Sequence, residues 1–129
     1  MTSNKQQTAV EFVPYEVALE LKQLGFDEPC FGGYYSNQDN VNLWFFKEAK
    51  NSDRDERVRE GFATAPTYSQ AFRWFRKKFN CHHTINLNKK YVGIAYSSVV
   101  NFSIDEFNTY EEAELACLRK LIEIVKNGK

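Results

Sequence analysis

Two helix-start signals constrain this chain more than any other feature. In "PTYSQAFRWFRKKF" Thr67 stands three residues before Gln70, and in "NTYEEAELACLRKLIEIVK" Thr109 stands three residues before Glu112. Such pairs make capping boxes, because each side chain satisfies a backbone N–H that the first helical turn leaves unpaired. An apolar stripe at helical spacing follows both. On the first it is Tyr68, Phe72, Phe75 and Phe79, with Arg73, Arg76 and Lys77 on the opposite side. On the second it is Tyr110, Ala113, Cys117, Leu118, Leu121, Ile124 and Val125, and Lys126 and Gly128 close that helix.

A stretch of hairpin character precedes each of these helices. Strands near 30–35 and 41–47 flank the turn-rich "SNQDN", and a second pair, 82–88 and 91–97, turns at Asn88-Lys89-Lys90. "VVNFSI" either extends the last strand or crosses to an edge. Pro14 and the stripe Val17, Leu21 and Leu24 set an earlier helix, which Gly25 and Phe26 end in a Schellman motif. The expected order is α-ββ-α-ββ-α. That order implies an α+β fold, an antiparallel sheet of four to five strands with about three helices. Residues 1–12 read as a flexible N-terminal segment and 13–129 as a single α+β domain, in which the charge-dense 48–61 is a mobile loop.

A chain of 129 residues with 16% aromatics can build one real core. Its net charge of zero excludes an acidic disordered tail and a uniformly basic nucleic-acid coat. The charge is nonetheless patterned. No Asp or Glu occurs from Gly61 to Ile104, where Arg73, Arg76, Lys77, Lys78, Lys89 and Lys90 lie, and acids predominate on either side. Such a pattern points to an anionic partner or to a protomer that meets its own acidic face. No apolar run has membrane-spanning length, residues 1–7 are too polar for a signal peptide, and three scattered cysteines suit a reducing compartment. The expectation is a cytoplasmic protein that does not contact the membrane.

Three constellations carry chemistry. Cys81-His82-His83 brings together the only histidines with a cysteine. On a strand, Cys81 and His83 face one way and His82 the other, so the three cannot close on one ion or form an oriented nucleophile–base pair. Cys81 as core, with histidines at a strand entrance, is the better reading, and neither metal nor cofactor is expected. The second constellation is the helix face of Arg73, Arg76 and Lys77, joined by Trp74 at its border and by Lys89 and Lys90 on the turn. Cations beside an aromatic ring suit phosphates and bases. An ordinary solvated helix face with Trp74 filling the edge of the core accounts for the same residues. The third is the cluster Tyr34, Tyr35, Trp44, Phe45 and Phe46. Alternation puts Trp44 and Phe46 on one face and Phe45 on the other, so both faces are apolar: one is expected to meet the helices and the other to be covered by the N-terminal segment or by a second copy. Glu114 falls within the stripe of the last helix, near enough to its start to reach solvent.

The stretches "EFVPYEVALELKQLGFDEPCFGGYY", "APTYSQAFRWFRKKF" and "TYEEAELACLRKLIEIVK" resemble a recurring family of small proteins encoded in phages, prophages and mobile DNA of Bacteroides-type gut bacteria. The resemblance spans nearly the whole chain and carries no assigned activity. It implies a phage-associated protein acting in the host cytoplasm, of the kind that serves host takeover or anti-defence. Together these readings lead to a non-enzymatic interaction module whose partner is a host or phage protein and whose expected contact surface is the basic region around Arg73, Arg76 and Lys77, with homo-oligomer formation open. Nucleic-acid or nucleotide-phosphate binding through the basic helix face is the alternative, and a small metal- or Cys-dependent hydrolase a more remote one.

Overall fold

Among the described residues three helices begin directly after Pro14, Thr67 and Thr109, where the start signals in the sequence put them. A computed structural model of the chain describes residues 12–36, 40–52 and 61–128. In order the elements are α1 (Tyr15–Gln23), β1 (Cys30–Ser36), β2 (Val41–Ala49), β3 (Phe62–Ala65), α2 (Tyr68–Phe79), β4 (His82–Leu87), β5 (Tyr91–Tyr96), β6 (Asn101–Phe107) and α3 (Tyr110–Asn127). The chain divides into two units, Met1–Thr67 and Tyr68–Lys129. Each holds one three-stranded antiparallel sheet, ordered β2-β1-β3 in the first and β4-β5-β6 in the second.

The fold is therefore α+β with three helices among the described residues, but six strands in two sheets replace the expected four to five in one. One strand was hidden and one was left open. β3 reads "FATA" and is buried at all four positions, so it has no polar–apolar alternation to betray it. β6 is a separate strand because the chain reverses at Ser97, whose N–H bonds the Val100 carbonyl at 2.9 Å. The order among the described residues is thus α-βββ-α-βββ-α. Most of the expected N-terminal segment and most of the charged loop, at 1–11 and 53–60, lie outside the described residues.

In the first unit α1 packs on β3, with Val17, Ala18 and Leu21 fully buried. It ends as its sequence dictates. Gly25 adopts φ +100°, which a side chain would disfavour, while Phe26 N–H reaches Leu21 O at 2.9 Å and Gly25 N–H reaches Lys22 O at 3.0 Å. Asn51 then ties the segment after β2 to the end of the α1 turn and to β3. Its amide donates to Phe26 O at 2.8 Å and accepts from Thr64 N–H at 2.9 Å. Gly33 admits the Phe62 ring, two of whose carbons would lie 2.6 Å from a Cβ at that position. Over this gap Tyr35, Phe46 and Phe62 gather with centroids 4.9–6.3 Å apart.

In the second unit α3 crosses the sheet. Thr109 and Glu112 form the expected capping box, with reciprocal bonds of 3.1 and 3.3 Å. Its buried face is Ala113, Cys117, Leu118, Leu121, Ile122 and Val125. Ile122 takes the place expected for Ile124, and Tyr110 stays largely exposed at the helix start. The sheet meets α3 through small residues, Gly93 and Ala95, and turns exposed Thr84, Asn86, Asn101 and Ser103 outward in the period-two pattern of a half-buried sheet.

Candidate interaction surfaces

The Cys81-His82-His83 stretch resolves into three separate packing roles. Cys81 is buried, its thiol directed at the Phe79 carbonyl 3.6 Å away. His82 opens β4 opposite Tyr96, stacks on that ring at 5.4 Å, and shares a hydrogen bond with Asn80 Oδ1 at 3.0 Å. His83 turns to the other face and lies flat on Phe72, with centroids 3.6 Å apart and planes 14° apart. Burial, aided by the positive charge of Arg76, pushes its pKa down to about 4, so this imidazole is neutral near pH 7. Among the described residues no three metal-binding side chains converge anywhere.

The basic face of α2 is real but narrower than its sequence suggested. Arg73, Arg76, Lys77 and Lys78 are all exposed on the last turns. Trp74 is not beside them. It is 6% exposed, with Phe75 and Phe79 edge-on against it at 5.3 and 5.2 Å, so it belongs to the core. The reason is geometric: the buried arc of α2 is Ala71, Phe72, Trp74 and Phe75, which turns the indole inward between two exposed cations. Lys89 and Lys90 are separated from this face as well. The extended chain from His83 to Lys89 covers roughly 20 Å. Tyr91, which follows them, packs its ring on Tyr110 at the head of α3, where Glu111 and Glu112 supply acid. The expected positive surface is thus two surfaces, and neither includes the indole.

What the sequence left open, and the structure places in solvent, is the aromatic strand β2. Trp44 is 55% and Phe45 59% exposed, Val41 is 46% exposed, and Phe31 on β1 is 67% exposed. The expected alternation holds, since Trp44 and Phe46 contact Tyr35 on one face while Phe45 contacts Phe12 on the other. β2 also forms one border of its sheet, pairing only with β1 among the described residues. Its pairing is regular from Val41 to Phe45. Beyond that Phe46, Lys47 and Glu48 all stand opposite Phe31 alone, a bulge that bends the strand. Sequence reading overlooked Phe31. The signal that could have found it is strand period alone, which turns Phe31 to the face opposite Cys30 and Gly32.

Two lesser features remain in the second unit. Glu114 is half-buried with its pKa raised by burial and by Glu111, beside Tyr110, whose pKa is raised mainly by burial. A shallow apolar groove of about 180 Å³ runs between Val99, Phe102 and Ile124 near the end of α3. Among the described residues no helix is long and apolar enough to cross a membrane. No protein-family model, no curated protein and no solved structure matches the chain.

Proposed function

We propose that the protein is a non-enzymatic interaction module whose contact surface is the aromatic strand β2 with its neighbour Phe31. The observation that carries this reading is the exposure of Trp44, Phe45, Phe31 and Val41 on one strand pair. Large apolar side chains cost free energy in water, and clustered ones characterise contact surfaces, where aromatic anchors contribute most of the affinity. The partner in this reading is a protein. The resemblance to phage- and prophage-encoded chains directs the search to host proteins, in keeping with a role in host takeover or anti-defence.

The test is affinity capture from host lysate with three baits: the unmodified chain, Trp44→Ser/Phe45→Ser, and Arg73→Ala/Arg76→Ala. A partner kept by the arginine variant and lost by the aromatic variant supports the reading. The reverse pattern overturns it and favours the second reading, binding of an anionic polymer by α2. That alternative rests on four exposed cations over two turns in a segment without acids. It predicts oligonucleotide binding that weakens steeply with salt, measurable by fluorescence anisotropy.

A further inference from the structure

We infer that β2 pairs with β2 of a second copy, antiparallel and edge to edge, so that two three-stranded sheets join into one of six strands. The inference rests on the reading of β2 as a contact surface and names the occupant of the edge that no described strand pairs.

Three observations lead to it. First, among the described residues β2 is a border strand, and from Val41 to Phe45 it is exposed at every position but Leu43, which is half-exposed. A strand edge of this kind presents unpaired N–H and C=O groups in a row and is a template for another strand. The devices that usually blunt such an edge are missing from that run: "VNLWF" has no proline and no charge, and Lys47 and Glu48 come only after the bulge begins.

Second, the run is complementary to itself. A two-fold axis perpendicular to a sheet requires one residue to face its own copy, because directly opposed side chains share a face. The regular run is centred on Leu43. Pairing about that residue puts Val41 opposite Phe45, Asn42 opposite Trp44, and Leu43 opposite Leu43. One face then carries Val41, Leu43 and Phe45 from both copies. Aromatic–β-branched pairs of the Val41–Phe45 type are among the favourable cross-strand contacts. The charged pair Lys47 and Glu48 stays outside the ladder in both copies, so no like charges meet.

Third, the area is of the size that a weak dimer needs. With aromatic side chains offering about 150–250 Å² each, the exposed parts of Trp44, Phe45 and Val41 sum to about 300 Å² per copy. Two copies and the newly paired backbone give an interface below about 1,200 Å², in the range of weak and transient contacts. Contacts of this size are typical of weak, reversible association.

Sedimentation velocity of the full chain between about 1 and 500 µM tests this. The expected result is a monomer–dimer equilibrium whose midpoint is insensitive to salt. Phe45→Lys alone and Val41→Glu alone raise that midpoint at least tenfold, with circular dichroism unchanged. Mixed in equal amounts they recover the dimer, because the register sets the lysine introduced in one copy against the glutamate introduced in the other. A monomer throughout the range overturns the inference, as do single variants that associate like the unmodified chain, or a mixture that stays monomeric. Should either variant unfold, hydrogen exchange of the unmodified chain decides. Protection of the amides from Val41 to Phe45 that grows with concentration supports the pairing, and protection independent of concentration overturns it. The two readings fail separately. A monomer that still loses its protein partner in Trp44→Ser/Phe45→Ser refutes self-pairing alone, whereas a dimer with no partner dependent on those residues refutes the host-protein reading alone.

Discussion

Acid should weaken this protein through one residue, His83. Its ring is stacked on Phe72 at 3.6 Å and half-buried, and burial together with Arg76 holds its pKa at about 4 against 6.5 for a free imidazole. In the unfolded chain the ring takes up a proton as pH falls through 6.5, whereas in the folded chain it stays neutral down to about 4. Between those values the unfolded state binds more protons, so stability falls as pH falls and is level again below the window. At about 1.36 kcal/mol per pH unit the whole window amounts to about 3 kcal/mol. Solvent access to the ring edge reduces this to about 2 kcal/mol. The assay is urea denaturation at intervals from about pH 7.5 to 4 for the unmodified chain and for His83→Phe, which keeps a ring on Phe72 without a titrating group. Subtracting the two series removes the contribution of carboxylates common to both. The unmodified chain should lose about 2 kcal/mol more than the variant, nearly all of it below pH 6.5. Parallel loss in both proteins, or an imidazole that titrates at 6.5 or above by NMR, would refute the reasoning. Arg76→Ala should narrow the window, since it removes the second of the two causes.

Three further outcomes follow from packing and capping. Gly93→Ala would place a Cβ 2.6 Å from Cys117 Sγ and should cost about 1–3 kcal/mol. Cys117→Ala should recover much of that in a double-mutant cycle read by denaturation, and additive effects would show that the two residues do not compete for space. Thr109→Ala removes the acceptor for Glu112 N–H and should cost about 1 kcal/mol, with the loss of amide protection confined to the first turn of α3. Thr64 is fully buried and its hydroxyl has no hydrogen-bond partner among the described residues. Thr64→Val should therefore be neutral or raise the melting temperature slightly, and a large destabilisation would reveal a partner.

Sequence by itself determined what depends on neighbours a few residues apart. The Thr109 box, the Gly25–Phe26 helix ending, the four hairpin strands and the opposed directions of His82 and His83 are all set by helical or strand period and by local backbone bonding. The same period placed Trp44 and Phe45 on opposite faces. Tertiary structure decided everything that depends on which surfaces meet. "FATA" becomes a strand only because β1 offers it a partner ladder, which no four-residue run can announce. Trp74 could be assigned to either side of its helix by period alone, and the buried arc of α2 drew it into the core. Lys89 and Lys90 share a charge with α2 but sit at the far end of β4, because an extended strand carries the chain away faster than a helix does. The strand edge at β2 was likewise invisible: an apolar run looks the same whether it lies in the middle of a sheet or at its border, and only the strand order β2-β1-β3 puts Val41 to Phe45 at the border among the described residues.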